Sequence, residues 1–175
     1  MRLIRIVIML VAALLPVACT RAQPPQTGPS AQPQSDSVSE IASQSVLAQG
    51  VVLSVKVARR DAVDGARFRV TTAVRGEPST PVRLATPDGL DAIVLVRAIE
   101  STAAVFSSQI ANQEALESNP GFSPPQSEDL SDGNGSVSGS TKVYQFTIAK
   151  PGRYVLSART FGPVVTIPLI PFSVP

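Results

Sequence analysis

Alternation with a period of two constrains this chain more than any other feature. In Val51-Val52-Leu53-Ser54-Val55-Lys56-Val57, the residues Val51, Leu53, Val55 and Val57 share one side of an extended backbone, with Ser54 and Lys56 opposite. Side chains alternate faces along a strand, whereas a helix needs apolar spacings of three and four. The pattern returns at 66–74, where Phe68, Val70 and Val74 oppose Arg67 and Arg69. It appears again where Tyr144, Phe146 and Ile148 alternate with Val143, Gln145 and Thr147. Val82 to Ala85 reads as a short strand, and Tyr154 to Arg159 as another. Ile93-Val94-Leu95-Val96 is a continuous apolar run, as expected of a central strand buried on both faces. Asp64-Gly65, Pro87-Asp88-Gly89 and the Pro-rich 77–81 supply turns between them. Pro168 and Pro171 confine the last strand, about Val164 to Val174, to a sheet edge or a bulge. Roughly seven short strands separated by turns predict an all-β chain folded as a β-sandwich, with one short helix or long loop inserted.

A local motif sharpens that expectation. Lys150-Pro151-Gly152-Arg153-Tyr154-Val155-Leu156 resembles the tyrosine corner of immunoglobulin-like and fibronectin-like sandwiches. The position that holds a cysteine in antibody domains is Leu156 here, which suits an immunoglobulin-like or related sandwich without a disulfide. The resemblance implies a buried Tyr154 whose hydroxyl bonds backbone near the preceding turn. Pro151-Gly152 fits a type II turn, because Pro presets the first φ and Gly accepts the positive second one. A plain hairpin with tyrosine as core filler is the alternative. The motif carries no activity with it.

The N-terminus says where such a domain would reside. Arg2 and Arg5 precede an apolar run from Ile6 to Leu15, then Pro16-Val17-Ala18 and the only cysteine, Cys19. An apolar run of about 10 residues is too short to cross a hydrocarbon core near 30 Å thick, so it reads as a signal-peptide core. Residues 14–19 resemble the end of a bacterial lipoprotein signal, although Pro16 stands where Leu is usual. The resemblance implies a signal peptide over residues 1–18, lipidation of Cys19 (palmitate among the acyl chains) and, with Thr20 following, an outer-membrane lipoprotein facing the periplasm. An ordinary secretory signal cut after Ala18 or Ala22 is the alternative and would release a soluble module. Residues 19–45, rich in Gln, Pro and Ser, form a disordered tether on this reading, and residues 46–175 the domain.

Composition then narrows the chemistry. The chain holds 15 Lys+Arg against 13 Asp+Glu, and losing residues 1–18 removes Arg2 and Arg5 but no acid. The mature part is neutral, its arginines look scattered, and no electrostatic case for nucleic acid remains. Arg59-Arg60, followed by Asp61 and Asp64, reads as a solvated turn with local pairing, a small anion or headgroup patch being the alternative. There is no histidine. Ser-His-Asp and Cys-His nucleophiles, His-bearing zinc sites and type 1 copper sites are excluded by inventory. Lys56, Lys142 and Lys150 lie in no Ser-x-x-Lys arrangement, and the chain has no Trp, six Phe and two Tyr for sugar stacking. A non-enzymatic chain without cofactor or metal follows. A carboxylate-dependent enzyme would need two acids converging, and Glu77, Asp88 and Asp91 are the acids near strand ends to inspect.

Residues 107–140 look inserted. Ser107 to Glu117 has helical character, with Ser107 as cap and Ile110, Ala111 and Ala115 on one loose face that excludes Leu116. Residues 118–140 then carry Asn119-Pro120-Gly121, Pro124-Pro125 and Asp132-Gly133-Asn134-Gly135. A structureless stretch this long is usually functional or disordered, so Phe122, Leu130 and Val137 are the candidate anchors for an unidentified envelope partner. Replacing the stretch by a short Gly-Ser linker is expected to change stability little. With Gly135 set at the sixth position of an EF-hand loop, the first position is Leu130 and the twelfth Thr141, so the bidentate Glu is missing; only a looser calcium site near Glu128, Asp129, Asp132 and Asn134 stays open.

Overall fold

A computed structural model describes residues 38–62 and 65–175. Cys19, the signal segment, the tether up to residue 37, and Asp64 lie outside the described residues. The alternating segments form strands as expected: β1 (Ser39–Ala48), β2 (Val51–Ala62), β3 (Gly65–Gly76), β4 (Pro81–Ala85), β5 (Ala92–Ala98) and β6 (Ala104–Ser107). After helix α1 (Ser108–Glu117) come β7 (Ser127–Asp132), β8 (Gly139–Ile148), β9 (Gly152–Thr160) and β10 (Ile170–Val174). Two antiparallel four-stranded sheets, β1-β2-β3-β8 and β10-β9-β5-β6, face each other, and β4-β7 form a separate ribbon. The chain is an all-β sandwich with one short helix, of ten strands rather than seven among the described residues.

The extra strands are those with the weakest alternation. β1 starts at Ser39, inside the stretch expected to be tether, because Ala42, Gln44, Val46 and Ala48 pair opposite the inward residues Val57, Val55, Leu53 and Val51. β6 is four residues long, and β7 reads as polar except for Leu130. The final strand is shorter than expected, beginning at Ile170, and Pro171 sits on the edge strand β10, where its missing N–H breaks no ladder. β5 is central, flanked by β9 and β6. It is nevertheless not buried equally on both faces: Ala92, Val94 and Val96 are buried, while Ile93 and Leu95 are only half-buried.

Inward residues of both sheets meet in one core. Val51, Leu53, Val55 and Val57 are each 0% exposed, and Phe68, Val70, Val94, Val96, Leu156 and Ile170 pack with them. The Phe68 ring of β3 lies 4.9 Å from Phe172 of β10, and Phe106 of β6 stacks 4.4 Å from Phe146 of β8. Phe68 and Phe146, paired across β3 and β8, stack at 5.5 Å, so these rings form one continuous cluster between the sheets, at separations that aromatic pairs favour.

The tyrosine corner has its expected hydrogen bond. Tyr154 is 3% exposed, and its hydroxyl donates to the Lys150 carbonyl at 2.7 Å. The turn itself differs from expectation: Gly152 sits at φ 154, far from the value of about +80° that a type II turn requires, so the glycine opens β9 in a wide conformation instead. Tyr154→Phe removes a part-buried hydrogen bond to the Lys150 carbonyl. A destabilisation of about 0.5–1.5 kcal/mol is expected from a denaturant titration.

All four edges of the two four-stranded sheets carry a feature that discourages pairing with another strand. β10 has Pro171, β6 is short, and β1 changes register between Glu40 and Ala42. β8 holds Lys142 opposite the buried Thr72, an inward register position for a charge.

Candidate functional site

The three expected partner anchors fall in three different settings. Phe122 is 58% exposed and Val137 41% exposed, whereas Leu130 is 1% exposed. Leu130 is therefore a core residue and unavailable to a partner. β7 pairs with β4, which aims Leu130 inward beside Val82 and Leu84. Val137 forms an isolated bridge with Ser131, and Phe122 lies on the connection after α1. Residues 118–140 are thus no structureless insertion, since they contain β7 and the start of β8. In the acidic cluster, Asp132 Oδ1 accepts from the backbone N–H of Asn134 at 2.8 Å and of Ser136 at 3.2 Å, which holds the loop itself. Asp129 lies 3.7 Å from Arg83.

The strand-end acids also fall in three different settings. Glu77 accepts from Thr80 at 3.4 Å in the β3–β4 turn, and Asp88 lines a cavity beside α1. Asp91 is 2% exposed and accepts a short hydrogen bond from Ser140 through Oδ2, while its Oδ1 has no partner.

Asp91 belongs to a buried polar seam between α1, β5 and β8. Ser108, 0% exposed at the start of α1, accepts the Val94 N–H at 2.9 Å. The neighbouring Tyr144 hydroxyl is buried without a partner of good geometry. Burial raises the Tyr144 pKa above the ordinary tyrosine value; the Ser108 hydroxyl pulls it down and the Asp91 carboxylate pushes it up. A phenol whose folded pKa exceeds its unfolded one adds stability below the unfolded value near 10, and that stability is lost as pH rises through the folded value. Tyr144→Phe should therefore flatten the fall in stability above about pH 10, and at pH 7 it should cost far less than Tyr154→Phe, since no hydrogen bond is lost. Thermal melts across alkaline pH check both points.

The cavity beside α1 has a volume of about 370 Å³ and is lined by Asp88, Gln109, Asn112 and Gln113 over Leu90, Leu116 and Phe161. Asp88 holds a left-handed φ of 55, and its carbonyl accepts from Asn112 Nδ2 at 2.8 Å. Of the helix face expected from spacing only Ala111 is half-buried; Ile110 is 59% exposed and Ala115 is exposed, while Leu116, expected outside that face, is half-buried. Ser107 is the N-cap by position but makes no side-chain capping bond.

The most pronounced charge feature is the outer face of the β1-β2-β3-β8 sheet. Register places Arg60 opposite Arg67, Ala58 opposite Arg69, Lys56 opposite Thr71 and Val52 opposite Arg75. All are outward, because their neighbours Val55, Val57, Phe68, Val70 and Val74 face the core. Four of the arginines that look scattered along the chain, Arg60, Arg67, Arg69 and Arg75, are gathered by β2–β3 pairing onto one face, while Arg97, Arg153 and Arg159 lie on the opposite sheet. Glu40, opposite Ala58, is the one acid at an outward position of these four strands. The nearby Arg59 instead points to the inward side, paired with Asp61 at 3.0 Å and donating to the Ser173 carbonyl at 3.0 Å. Among the described residues no helix is long and apolar enough to cross a membrane. No protein-family model and no curated protein matches the chain.

Proposed function

We propose that this chain is a non-enzymatic lipoprotein of the cell envelope, a β-sandwich binding or assembly module held at a membrane by lipid on Cys19. The observation that carries the reading is the solitary cysteine directly after an apolar run preceded by Arg2 and Arg5. An unpaired cysteine in an exported chain needs a chemical role, and acylation supplies one. Each buried methylene contributes about 0.8 kcal/mol, so several acyl chains hold a domain on a bilayer in effect permanently. The location is the outer membrane, facing the periplasm, with an envelope component as partner. The exposed Phe122 and Val137 remain candidate anchors for that partner.

Cys19→Ser should move the protein out of the membrane fraction or leave it unprocessed, and should abolish incorporation of labelled palmitate. Normal processing and unchanged membrane partition in that variant would end the lipoprotein reading.

A second reading is favoured by the cavity beside α1. Its amides, the Asp88 carboxylate and the Phe161 ring offer hydrogen bonds beside an apolar floor, the chemistry that suits a small ligand or glycan. On this reading the chain is a soluble secreted module. Saturable binding of an oligosaccharide that Asn112→Ala removes, by the chain found in the soluble fraction, would favour it.

A further inference from the structure

We propose that the outer face of the β1-β2-β3-β8 sheet is a docking surface for an anionic lipid bilayer, on which the domain lies flat. The inference deepens the membrane-bound reading and rests on it for the identity of the occupant. Lys56 and Arg69 are diagonal neighbours on adjacent strands, and Arg75 continues the same face of β3. All three are exposed, and no carboxylate among the described residues pairs with them. Arg60 and Arg67 lie on the same surface, engaged by partners of their own.

Like charges brought together across a sheet oppose folding. Acids were available to alternate with these bases, yet they lie elsewhere: Glu114 and Glu117 on α1, and Glu128, Asp129 and Asp132 on β7. An external anion therefore complements this face. The form of the face selects the kind of anion. Its outward positions carry no aromatic ring, since Phe68, Tyr144 and Phe146 all occupy inward register, so it offers no stacking platform for single-stranded nucleic acid. It is a broad surface with exposed apolar shoulders, Leu47 (56% exposed) on β1 and Val143 (51% exposed) on β8, one on each edge strand. Cations among headgroups with apolar side chains at the margins match a bilayer interface. β1 is also where the chain arrives from Cys19, and the intervening residues, extended at about 3.5 Å each, reach at most roughly 70 Å. A domain tethered within that distance meets the membrane at high effective concentration, so weak contacts suffice to orient it.

The test uses the full chain carrying Cys19→Ser, so that its result does not depend on lipidation. Co-sedimentation is compared between vesicles of phosphatidylcholine alone and vesicles containing phosphatidylglycerol, which cancels the apolar contribution of the signal segment; its Arg2 and Arg5 contribute equally to the parent and to every variant. The parent should prefer anionic vesicles, and added salt should erase the preference. A Lys56→Gln/Arg69→Gln/Arg75→Gln variant should lose about a hundredfold of it, at about fivefold per cation. Its melting temperature should stay the same or rise, because repulsion has been removed. An Arg97→Gln/Arg153→Gln/Arg159→Gln variant, altered on the opposite sheet, should keep the preference. No anionic preference in the parent, an equal loss in both variants, a lowered melting temperature in the first, or tighter binding to duplex DNA or heparin than to vesicles would each overturn the proposal. The anchor reading fails separately, in the fractionation of Cys19→Ser cells.

Discussion

Leu130→Ala should destabilise the domain by about 2–5 kcal/mol, the range for removing a large aliphatic side chain from a core that cannot collapse around the gap. Leu130 is 1% exposed and packs with Val82 and Leu84, the inward residues of β4. The ribbon it anchors is tied to the connection after β9 and braced within itself and at its exit toward β8. Ala85 N–H donates to the Gly162 carbonyl at 2.7 Å, and Ser138 N–H donates to the Leu130 carbonyl at 2.9 Å. The 0%-exposed Thr86 donates through its hydroxyl to the Pro125 carbonyl at 2.8 Å. A gap at Leu130 therefore lies between fixed walls. For the same reason, replacing residues 118–140 by a Gly-Ser linker should lower the unfolding temperature sharply, the opposite of what the composition of that segment implies. Chemical denaturation of Leu130→Ala measures the first effect. A loss below about 1 kcal/mol would mean that the ribbon repacks freely.

Gly76→Ala should be comparably severe, at about 1–3 kcal/mol or more, through overpacking. Gly76 closes β3 where that strand passes β7. A Cβ there would collide with the Leu130 carbonyl oxygen, stand 2.7 Å from its carbonyl carbon and meet Ser131 Cβ at 2.8 Å. The obstruction is mostly backbone, so no rotamer change relieves it. The backbone of Gly76 is otherwise unremarkable, with no positive φ. Close approach, not conformational freedom, demands glycine here. Gly121→Ala is the matched control, because nothing lies within 4 Å of its Cβ position. A thermal melt in which Gly76→Ala and Gly121→Ala behave alike would refute the account.

The sandwich was legible in the sequence wherever one face of a strand is buried and the other solvated. Val51, Leu53, Val55 and Val57 on β2 and Phe68, Val70 and Val74 on β3 announce both the strand and its inward side, because a period of two arises only from an extended chain at a boundary between core and water. Tyr154 was legible for a related reason: its bond to Lys150 spans four residues and depends on local geometry. β7 was not legible. Ser127–Asp132 contributes one large apolar side chain, and its partner β4 lies far away in sequence, so nothing local distinguishes a polar ribbon strand from a loop. The helix face was misjudged because α1 meets its neighbours through Leu116 and the polar Ser108, which spacing alone does not single out.

The basic face divides along the same line. Alternation already showed that Lys56, Arg67 and Arg69 point away from the core. That they converge on one surface depended on which strands pair and in what register: Arg60 meets Arg67, and Lys56 comes beside Arg69, only because β2 and β3 pair from Val51–Gly76 to Ala62–Gly65 without a shift. A slip of one residue would have turned one strand's cations into the core, so burial of the apolar face is what sets the register. The sequence by itself determined which side chains avoid the core. Tertiary pairing decided which of them stand together, because contacts between distant strands leave no periodic trace within either one.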